Sequence, residues 1–589
     1  MNKRCLALIF LIIVMICGCG NAPDAAAEVL QRANEISEEK IHVMRDPSSG
    51  NTLSETEIPL YFHSVDNEES IKLCFADESK DIPYLDIDTA VSLVERVSHE
   101  IIEDKNYALT TSAQGSVVTI TRENQYPMQI DCDKDTISFY DFDAFFVPSR
   151  TSTVIDVLQP DTVFDGLILS EENSYSRFGS EVVFDLKKYG IDLIEENGKC
   201  YIPMQTLSDI MLSLPSYVCL LYNNEGVFVY EYGSEPGREL LRKYYEAQKQ
   251  ESKSEDLAEF TYNELCMVMD YYYGLKESHG IENFDDFFAE TALRDALRST
   301  DPEMSARAMK VLMELYIDDI HSGYLLNSWR IGMDTNVEGK SGKSLQDMNS
   351  SAMKYYTARE KFYPDGVPGY EEVGNTAYIT FDSFMTKDKD ADYYKNAPTA
   401  GTEDTVGLLL YSFSRITRRG SPVKNVVMDL SMNSGGDTVT ASFIISLFLG
   451  DGSVCIQDTL TGAYANEYFR ADANLDGEYD EKDSLLDYNL YCLTSPISFS
   501  CGNLVPSVLK SSGQVTILGQ QSGGGACTVM PFTTADGTIL QMSSNHRLSY
   551  MKNGSVYDID QGVEPDYVIH QPEHFYDRQA LTEYINNLY

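Results

Sequence analysis

Basic residues are scarce in this sequence. The chain has 589 residues, with 45 Lys and Arg against 92 Asp and Glu, which gives a formal net charge of −47. Such a charge repels phosphate backbones and anionic headgroups, so we expect no nucleic acid among the partners. Hydrophobic residues still make up 43% of the chain, which suffices for large buried cores. At about 150 residues per domain, the length predicts two to four domains.

The cysteines also lack a familiar spacing, because no two of them form a Cys-x-x-Cys pair. This argues against a zinc site and against a dense disulfide scaffold. We expect most of them to be small buried apolar residues, with one or two pairs open to oxidation. Beyond the first 19 residues they are Cys74, Cys132, Cys200, Cys219, Cys266, Cys455, Cys492, Cys501 and Cys527.

Long apolar runs are absent after the N-terminus, so we expect no transmembrane helix. At the N-terminus, Lys3 and Arg4 precede a mostly apolar run over residues 6–16. Such a run is too short to cross ~30 Å of hydrocarbon as a helix, which predicts a signal peptide over residues 1–19.

The end of this leader sets the expected location of the protein. Small Gly18 before Cys19 resembles the cleavage box of bacterial lipoproteins, so Cys19 would carry the lipid. Cys17 is the alternative acceptor, and a simple secretion signal is the alternative interpretation. We therefore expect an extracytoplasmic protein that is held at the membrane by a lipid anchor.

Composition and periodicity divide the rest of the chain. Two similar stretches, 82–94 and 201–211, each read as a strand with proline followed by a helix, and they resemble small stalk repeats of exported proteins. The predicted segments are a polar linker (20–55), a β-rich α+β repeat region (56–235), a helical cap with 3.6-residue spacing (236–333), a poorly periodic loop or lid (334–374) and an α/β core (375–589).

The α/β core alternates apolar strands with helices. Strands are predicted at 377–381, 426–430, 490–494 and 515–518, and helices at 406–417, 439–449 and 503–510. Continuous apolar strands between helices predict a mostly parallel sheet that is covered on both faces.

Two strand-to-helix turns in this core carry chemistry. The first holds Gly435 and Gly436, where a chain without Cβ atoms lets backbone N–H groups face an oxyanion or a phosphate. The second holds Ser498 and Ser500, and a serine there lies at a helix N-terminus that favours developing negative charge. The alternative is that either serine only caps the helix.

Taken together, four segments resemble the C-terminal-processing (tail-specific) and tricorn-core family of serine peptidases. Ser431 stands where the family signature D-L-R-x-N-x-G-G has arginine. The segments, in chain order, are 426–437 (VVMDLSMNSGGD), 498–503 (SFSCGN), 516–525 (TILGQQSGGG) and 562–566 (GVEPD). The resemblance implies a crotonase/ClpP-like βαβ superhelix, no cofactor for catalysis, peptide or protein substrates, and Ser500 as the nucleophile.

The resemblance also constrains the general base. In the Ser–Lys branch of the family a lysine follows the nucleophile by about 25 residues, but here that position is Gly525 and no lysine lies between Lys510 and Lys552. The tricorn-like branch uses a histidine in a D-x-H-S segment, which matches Asp319 to Ser322 and implies His321 as the base. His546 is the reserve candidate.

The remaining roles follow from the same resemblance. The oxyanion donors would be backbone N–H groups of Gly435 or Gly436 and of Cys501. Asp560, Glu564 or Asp319 would orient His321, with Ser322 as a bridging hydroxyl.

A further motif is independent of the family. A glycine at 477 and oxygen-bearing residues at alternating positions match a calcium loop of the dockerin type, which ends in Asp, and indicate a structural Ca²⁺ beside the active-site strand. The alternative is an acidic surface turn. The ligands would be Asp472, Asn474, Asp476, Glu478 through its backbone, Asp480 and Asp483.

These patterns together predict an exported serine endopeptidase with a Ser–His site. One rival is an inactive relative that binds peptides, hydrophobic ligands or cell-wall components. The changes at Ser431 and Gly525 support it. A second rival is a structural envelope protein whose repeats do the binding.

Overall fold

The computed structural model describes residues 53–66, 69–76, 79–122, 126–146, 166–170, 174–177, 181–385 and 391–588. The predicted signal peptide with Cys19, and nearly all of the predicted linker, lie outside these residues. Within the described residues, no helix combines the length and the apolar character that a membrane crossing requires.

The N-terminal part of the chain builds two sheets. The first has the strand order β11-β12-β3-β2-β1-β14-β13, and the second has the order β10-β7-β6-β5-β4. The strands are β1 (Ser54–Tyr61), β2 (Ser70–Phe75), β3 (Tyr84–Asp86), β4 (Leu109–Gln114), β5 (Val117–Arg122), β6 (Tyr126–Asp131), β7 (Thr136–Phe139), β8 (Ile168–Ser170), β9 (Ser174–Arg177), β10 (Val182–Asp185), β11 (Ile194–Glu196), β12 (Lys199–Pro203), β13 (Val218–Asn223) and β14 (Gly226–Glu231).

Two strand–helix units meet in the first sheet. β3 leads into helix Ile87–Glu100 and β12 into helix Met204–Ser208, and the two strands pair antiparallel with Leu85 opposite Ile202. A hairpin follows each unit, β4–β5 after the first and β13–β14 after the second. A disulfide joins Cys132, just after β6, to Cys200 in β12, and the seven other cysteines of the described chain are buried as thiols.

Short helical segments connect these strands. They include helix Phe142–Phe146, the 3₁₀ turn Leu186–Tyr189, the π-helical turn Asp209–Ser213 and helix Leu214–Ser216. Phe142 and Phe145 pack into the aromatic core with Phe139 and Phe184, so the second sheet is covered on this face.

Helices dominate residues 235–316. Serine caps begin two of them, since the Ser234 and Ser254 side chains accept hydrogen bonds from the N–H groups of Gly237 and Leu257. The helices are Glu235–Tyr244, Glu255–Tyr272, Phe284–Glu290, Arg294–Leu297 and Pro302–Val311, followed by the π-helical turn Leu312–Tyr316.

Residues 334–374 differ from the loop or lid that the sequence predicts, because Tyr370–Val373 is a strand and Lys343–Phe362 is a helix. Its buried side is narrow: Tyr355 packs edge-on against Phe575, with ring centroids 5.1 Å apart. Its first turn is tied from a distance, since the Asp318 carboxylate accepts from the N–H of Ser344. The helix buries few apolar residues, and its cap comes from a residue 26 positions upstream. The local sequence therefore shows little of the apolar spacing and capping that predict a helix.

The C-terminal strands form a mostly parallel sheet and a second, antiparallel one. The parallel sheet has the order β16-β17-β18-β21-β22-β27, with only β16 antiparallel to its neighbour. The strands are β15 (Gly323–Leu326), β16 (Tyr370–Val373), β17 (Thr376–Thr380), β18 (Asn425–Asp429), β19 (Gly452–Asp458), β20 (Tyr464–Ala471), β21 (Asn489–Thr494), β22 (Val515–Gly519), β23 (Cys527–Thr533), β24 (Ile539–Ser549), β25 (Met551–Lys552), β26 (Ser555–Val556) and β27 (Tyr567–Val568).

The parallel sheet is buried on both faces. Ile379 and Met428 face one core and Tyr378 and Val427 the other, as alternation along a strand requires. Helices cover each side: Thr405–Ile416, Thr438–Leu449 and Cys501–Ser511 on the first, and Lys343–Phe362, Glu573–Tyr576 and Arg578–Asn586 on the second. The chain is thus a mixed α/β protein with several sheets.

The antiparallel sheet joins distant parts of the chain. Its order is β15-β24-β19-β20-β8, with β23 also paired to β24 and β9 also paired to β20. Strands from before residue 180 therefore complete a sheet whose other strands follow residue 320.

Among the residues that the structure describes, two ion pairs have both side chains at most 3% exposed. Arg578 contacts Asp429 at the end of β18, with an N–O distance of 2.6 Å. Lys253 Nζ contacts Asp536 Oδ2 at 3.0 Å and also donates to Ser305 Oγ at 2.9 Å. Buried charges are tolerated only when paired and hydrogen-bonded in this way.

Candidate active site

Ser500 lies at the turn between β21 and helix Cys501–Ser511. Its backbone has φ +57° and ψ −125°, a conformation that side-chain-bearing residues rarely adopt. Although Ser500 is the N-cap residue, its side chain makes no cap hydrogen bond. A strained backbone with a hydroxyl that does not cap is typical of a functional position rather than a helix start.

The neighbouring Ser498 is structural. Its side chain is 0% exposed, and its hydroxyl donates to the Leu430 carbonyl at 2.7 Å. The same hydroxyl accepts from the N–H of Ser495 at 2.9 Å. Ser498 therefore ties β21 to the end of β18, and only Ser500 is left to serve as a nucleophile in this turn.

The paired glycines approach Ser500 closely. Gly435 has φ +104°, and a Cβ placed on it would lie 2.6 Å from Ser500 Cβ, so no larger residue fits. The N–H of Gly435 donates to Asn433 Oδ1 at 2.9 Å and is already occupied. Among the described residues, the amides of Gly436 and Cys501 donate to no backbone acceptor. These two amides are the free donors beside Ser500.

His321 lies in the turn between Leu312–Tyr316 and β15. Its ring packs on Phe499 with centroids 4.5 Å apart, and its Cε1 lies 3.1 Å from where a Cβ of Gly525 would be. Burial lowers the pKa of His321, while the charges of Asp319 and Asp560 oppose the shift. The Phe499 ring, 2.6 Å from that Cβ position, and the imidazole together occupy the space into which a side chain at position 525 would project.

The three candidate acids differ in exposure and in the hydrogen bonds that their carboxylates already accept. Asp319 accepts from the backbone N–H of His321 at 3.0 Å and from Ser322 Oγ at 2.7 Å. Asp560 Oδ1 accepts from the N–H of Ala526 at 3.0 Å, and burial raises the pKa of this carboxyl. Glu564 is exposed. In the described chain, His321 Nδ1 is buried without a hydrogen-bond partner, so none of the acids orients the ring directly.

One cavity of about 560 Å³ brings these groups together. Ser500, His321, Gly436, Cys501 and the reserve candidate His546 all line it. No hydrogen bond within the described residues joins Ser500 Oγ to His321. Burial raises the pKa of the Cys501 thiol to about 12, so this thiol is protonated at neutral pH and does not compete with Ser500.

The cavity is also lined by residues that the sequence patterns do not point to. They are Phe142, Asp143 and Phe146, together with Ile210 and Tyr217, all from the N-terminal part of the chain. No spacing rule connects these residues to Ser500, because they lie more than 250 residues before it in the sequence.

The predicted calcium loop is held by its own backbone. Asp472 Oδ1 accepts from the N–H of Asp476 at 3.1 Å, and Asp483 Oδ1 from the N–H of Asn474 at 3.0 Å. Asp480 contacts Lys482, and Asp476, Glu478 and Asp480 are exposed. Where residues are described, the loop does not bring three carboxylates within 4.8 Å of one another.

Comparison with known proteins defines the class. Residues 375–569 match the model of peptidase family S41. No curated protein sequence matches the chain. The matched segment is a serine-type peptidase domain, and it contains the glycine turn, Ser500 and the strands β17, β18, β21, β22 and β27 of the parallel sheet.

Solved structures show weaker likenesses. The chain is similar to the photosystem II D1 C-terminal processing protease at 18% identity, covering 35% of this chain and 46% of that one, with a TM-score of 0.26. It is similar to mature CPAF at 9% identity (56% and 96% covered, TM-score 0.36) and to the tricorn protease at 10% identity (81% and 60%, TM-score 0.29). With TM-scores below 0.5, no conclusion about this chain rests on these likenesses.

Proposed function

We propose that this protein is an exported endopeptidase that hydrolyses peptide bonds through Ser500 and His321. One cavity carries the proposal, because it is lined by Ser500, His321, Gly436 and Cys501. Within the described residues, the Ser500 hydroxyl makes no cap hydrogen bond, the imidazole is buried, and the N–H groups of Gly436 and Cys501 are free to donate. Each of these groups has a separate task in acyl transfer.

The reaction would proceed in two halves. Ser500 Oγ attacks the carbonyl carbon of the substrate while His321 takes the hydroxyl proton, and the N–H groups of Gly436 and Cys501 stabilise the oxyanion. Collapse of the tetrahedral intermediate breaks the C–N bond, and His321 gives its proton to the leaving amine. Water then hydrolyses the acyl-Ser500 ester by the same route. Gly435 does not act as an oxyanion donor, since its N–H already donates to Asn433 Oδ1. Its lack of a side chain lets the backbone lie close to Ser500.

Asp560 is our choice for the acid that acts on His321. Both oxygens of Asp319 are engaged by the backbone and by Ser322, whereas only one oxygen of Asp560 accepts a hydrogen bond from Ala526. Burial lowers the pKa of His321, and the charges of Asp319 and, to a smaller extent, Asp560 oppose that shift, so the choice rests on the open oxygen of Asp560. The assignment requires that a side-chain rotation on substrate binding bring the Asp560 carboxylate to the imidazole.

The pH dependence of kcat/KM tests His321. A base must be neutral to accept a proton, and burial lowers the pKa of His321 from 6.5. Activity should therefore be lost on acidification with a midpoint below pH 6.5, and Asp560→Asn should move the midpoint lower still, because it removes a charge that favours imidazolium. A midpoint above pH 7 would contradict this assignment.

His321→Ala should lower kcat by about 10²–10⁴-fold. His570→Ala is the matched control, since His570 is exposed and lies outside the cavity. If His321→Ala keeps full activity and His546→Ala loses it, His546 is the base.

One observation favours the rival binding function: in the described chain His321 Nδ1 has no partner and Ser500 Oγ has no hydrogen bond to the imidazole. Incubation with a mixed peptide library, analysed by mass spectrometry, separates the two functions. Cleavage supports the peptidase. Retention of intact peptides without cleavage, with calcium present, supports a binding protein.

We further propose that residues 375–589 form a crotonase/ClpP-like core and that the helices of residues 236–333 cap it. The parallel sheet with helices on both faces supports the first part, and the position of His321 directly after the helical region supports the second. An experimental structure that fails to superpose on a ClpP-like subunit would reject the core assignment.

Calcium binding by residues 472–483 stays a prediction. Buried Asp472 and Asp483 and the unpartnered Oδ1 of Asn474 in the described chain support it. Adding CaCl₂ to protein stripped with EGTA should raise Tm, and Asp483→Asn should cancel the rise. An unchanged Tm would reject calcium binding and support the alternative interpretation of residues 472–483 as an acidic surface turn.

Lipid attachment at Cys19 also stays a prediction, with extracytoplasmic location as its consequence. Growth with an alkyne-labelled fatty acid should label the protein, and Cys19→Ala should remove the label, whereas Cys17→Ala should not. Labelling lost only in Cys17→Ala would move the anchor to Cys17, and no labelling would indicate a simple secretion signal.

A further inference from the structure

Three side chains that the Ser500–His321 mechanism does not use lie close together at the cavity, and two of them line it. Asp143 comes from helix Phe142–Phe146, Asp458 ends β19, and His546 lies in β24. One ligand atom from each, a carboxylate oxygen or a ring nitrogen, lies within 4.8 Å of the other two. Asp143 and His546 also line the cavity.

Each carboxylate uses one oxygen for support and leaves the other without a donor. Asp143 Oδ2 accepts from Thr461 Oγ1 at 2.8 Å. Asp458 Oδ1 accepts from the N–H of Leu460 and from Asn545 Nδ2, both at 2.7 Å. Within the described chain, Asp143 Oδ1 and Asp458 Oδ2 are buried and have no donor. Outer-shell hydrogen bonds on one oxygen with the second oxygen left open are typical of carboxylates that bind metals.

The electrostatics call for a positive charge at this point. Asp143 and Asp458 are 2% and 0% exposed, and two buried carboxylates side by side repel each other. Either a shared proton or a cation must offset the paired carboxylates.

We propose that Asp143, Asp458 and His546 bind one divalent transition-metal ion. An imidazole with two carboxylates suits Zn²⁺ or Mn²⁺ better than Ca²⁺, which prefers an all-oxygen site. Because Asp143 and His546 line the cavity, an ion held by the three side chains would keep a coordination position open to the cavity. The ion would tie helix Phe142–Phe146 to the antiparallel sheet across a gap of more than 300 residues in the chain.

The test uses the soluble chain after removal of the predicted leader, stripped with EDTA and titrated separately with Zn²⁺ and with Mn²⁺. Calorimetry gives the affinity and stoichiometry, and thermal unfolding gives the shift in Tm. The variants are Asp143→Asn, which keeps the shape and the contact with Thr461, and His546→Ala. Asp487→Asn, an exposed carboxylate on the surface, is the matched control.

We expect one ion per chain and a rise in Tm for at least one of the two metals. Both site variants should bind at least about tenfold more weakly and lose the rise, because even changes in the outer shell of a metal site cost 10–100-fold. Without metal, Asp143→Asn should unfold at the same temperature as the parent or higher, since it removes the repulsion. If neither metal binds, or if binding is equal in the parent and both variants, the site is a proton-sharing carboxyl pair and the proposal fails. Because the measurement is binding, it stands apart from the peptidase assignment.

Discussion

Replacing Ser500 with alanine should abolish peptide cleavage while the protein stays folded. The substitution removes the only candidate nucleophile in the turn, and loss of the serine in a Ser–His site typically lowers kcat by about 10⁴–10⁶-fold. Stability should change little, because the Ser500 side chain makes no cap hydrogen bond and alanine removes a single atom. Cleavage of a fluorogenic peptide, together with the Tm of each protein, gives both quantities.

Ser498→Ala is the matched control, two residues away in the same turn. It should keep cleavage but lose about 1–3 kcal/mol of unfolding free energy, because the N–H of Ser495 and the carbonyl of Leu430 lose their buried partner. The opposite pattern, with activity lost in Ser498→Ala and kept in Ser500→Ala, would move the nucleophile to Ser498. Equal activity in both variants would remove the Ser–His mechanism altogether.

Lys253→Met should cost about 3–5 kcal/mol of unfolding free energy, because it leaves the Asp536 carboxylate buried without its cation. The two side chains are 0% and 2% exposed and lie 3.0 Å apart. Burial alone would raise the pKa of Asp536, but the Lys253 charge and the hydroxyls of Thr534 and Thr538 hold it below its usual value. Urea unfolding at pH 7, where the carboxylate is charged, measures the loss.

Two further variants test the cause. Adding Asp536→Asn to Lys253→Met should recover part of the lost stability, since the unpaired charge is then absent. Lys343→Met breaks the pair of Lys343 and Asp347 on the surface, where side-chain exposures are 85% and 63%, and should change stability little. A loss in Lys253→Met no larger than in Lys343→Met would show that the buried pair does not stabilise the fold.

The sequence predicts those parts of the site whose residues lie close together along the chain. Gly435 and Gly436 lie in the turn between buried strand β18 and the next helix, and Ser500 lies between β21 and a helix, so strand and turn patterns alone identify both turns. The parallel sheet follows from the same alternation, and its predicted strands and helices agree with the structure to within about two residues at each end.

The rest depends on contacts between distant parts of the chain. Asp143 and Phe142 reach the cavity from more than 300 residues before Ser500, and no local pattern links them to it. Helix Lys343–Phe362 receives its cap from Asp318 and buries only a narrow stripe, so its periodicity is weak. The calcium loop is predicted from residue spacing alone, but in the structure the Asp480 carboxylate forms an ion pair with Lys482. Residue spacing identifies which side chains could act as ligands, but it does not determine the direction in which each side chain points.

The antiparallel sheet that contains β8, β9 and β15 has a consequence for how the chain acquires its structure. The segment that matches the peptidase family starts at residue 375, yet its strands β20 and β24 pair with β8, β9 and β15, which are made earlier. We therefore expect the peptidase segment, expressed alone, to expose the unpaired edges of β20 and β24 and to aggregate. During synthesis the earlier strands must wait for β19, β20 and β24 before this sheet closes, so the active-site cavity is among the last parts of the molecule to form.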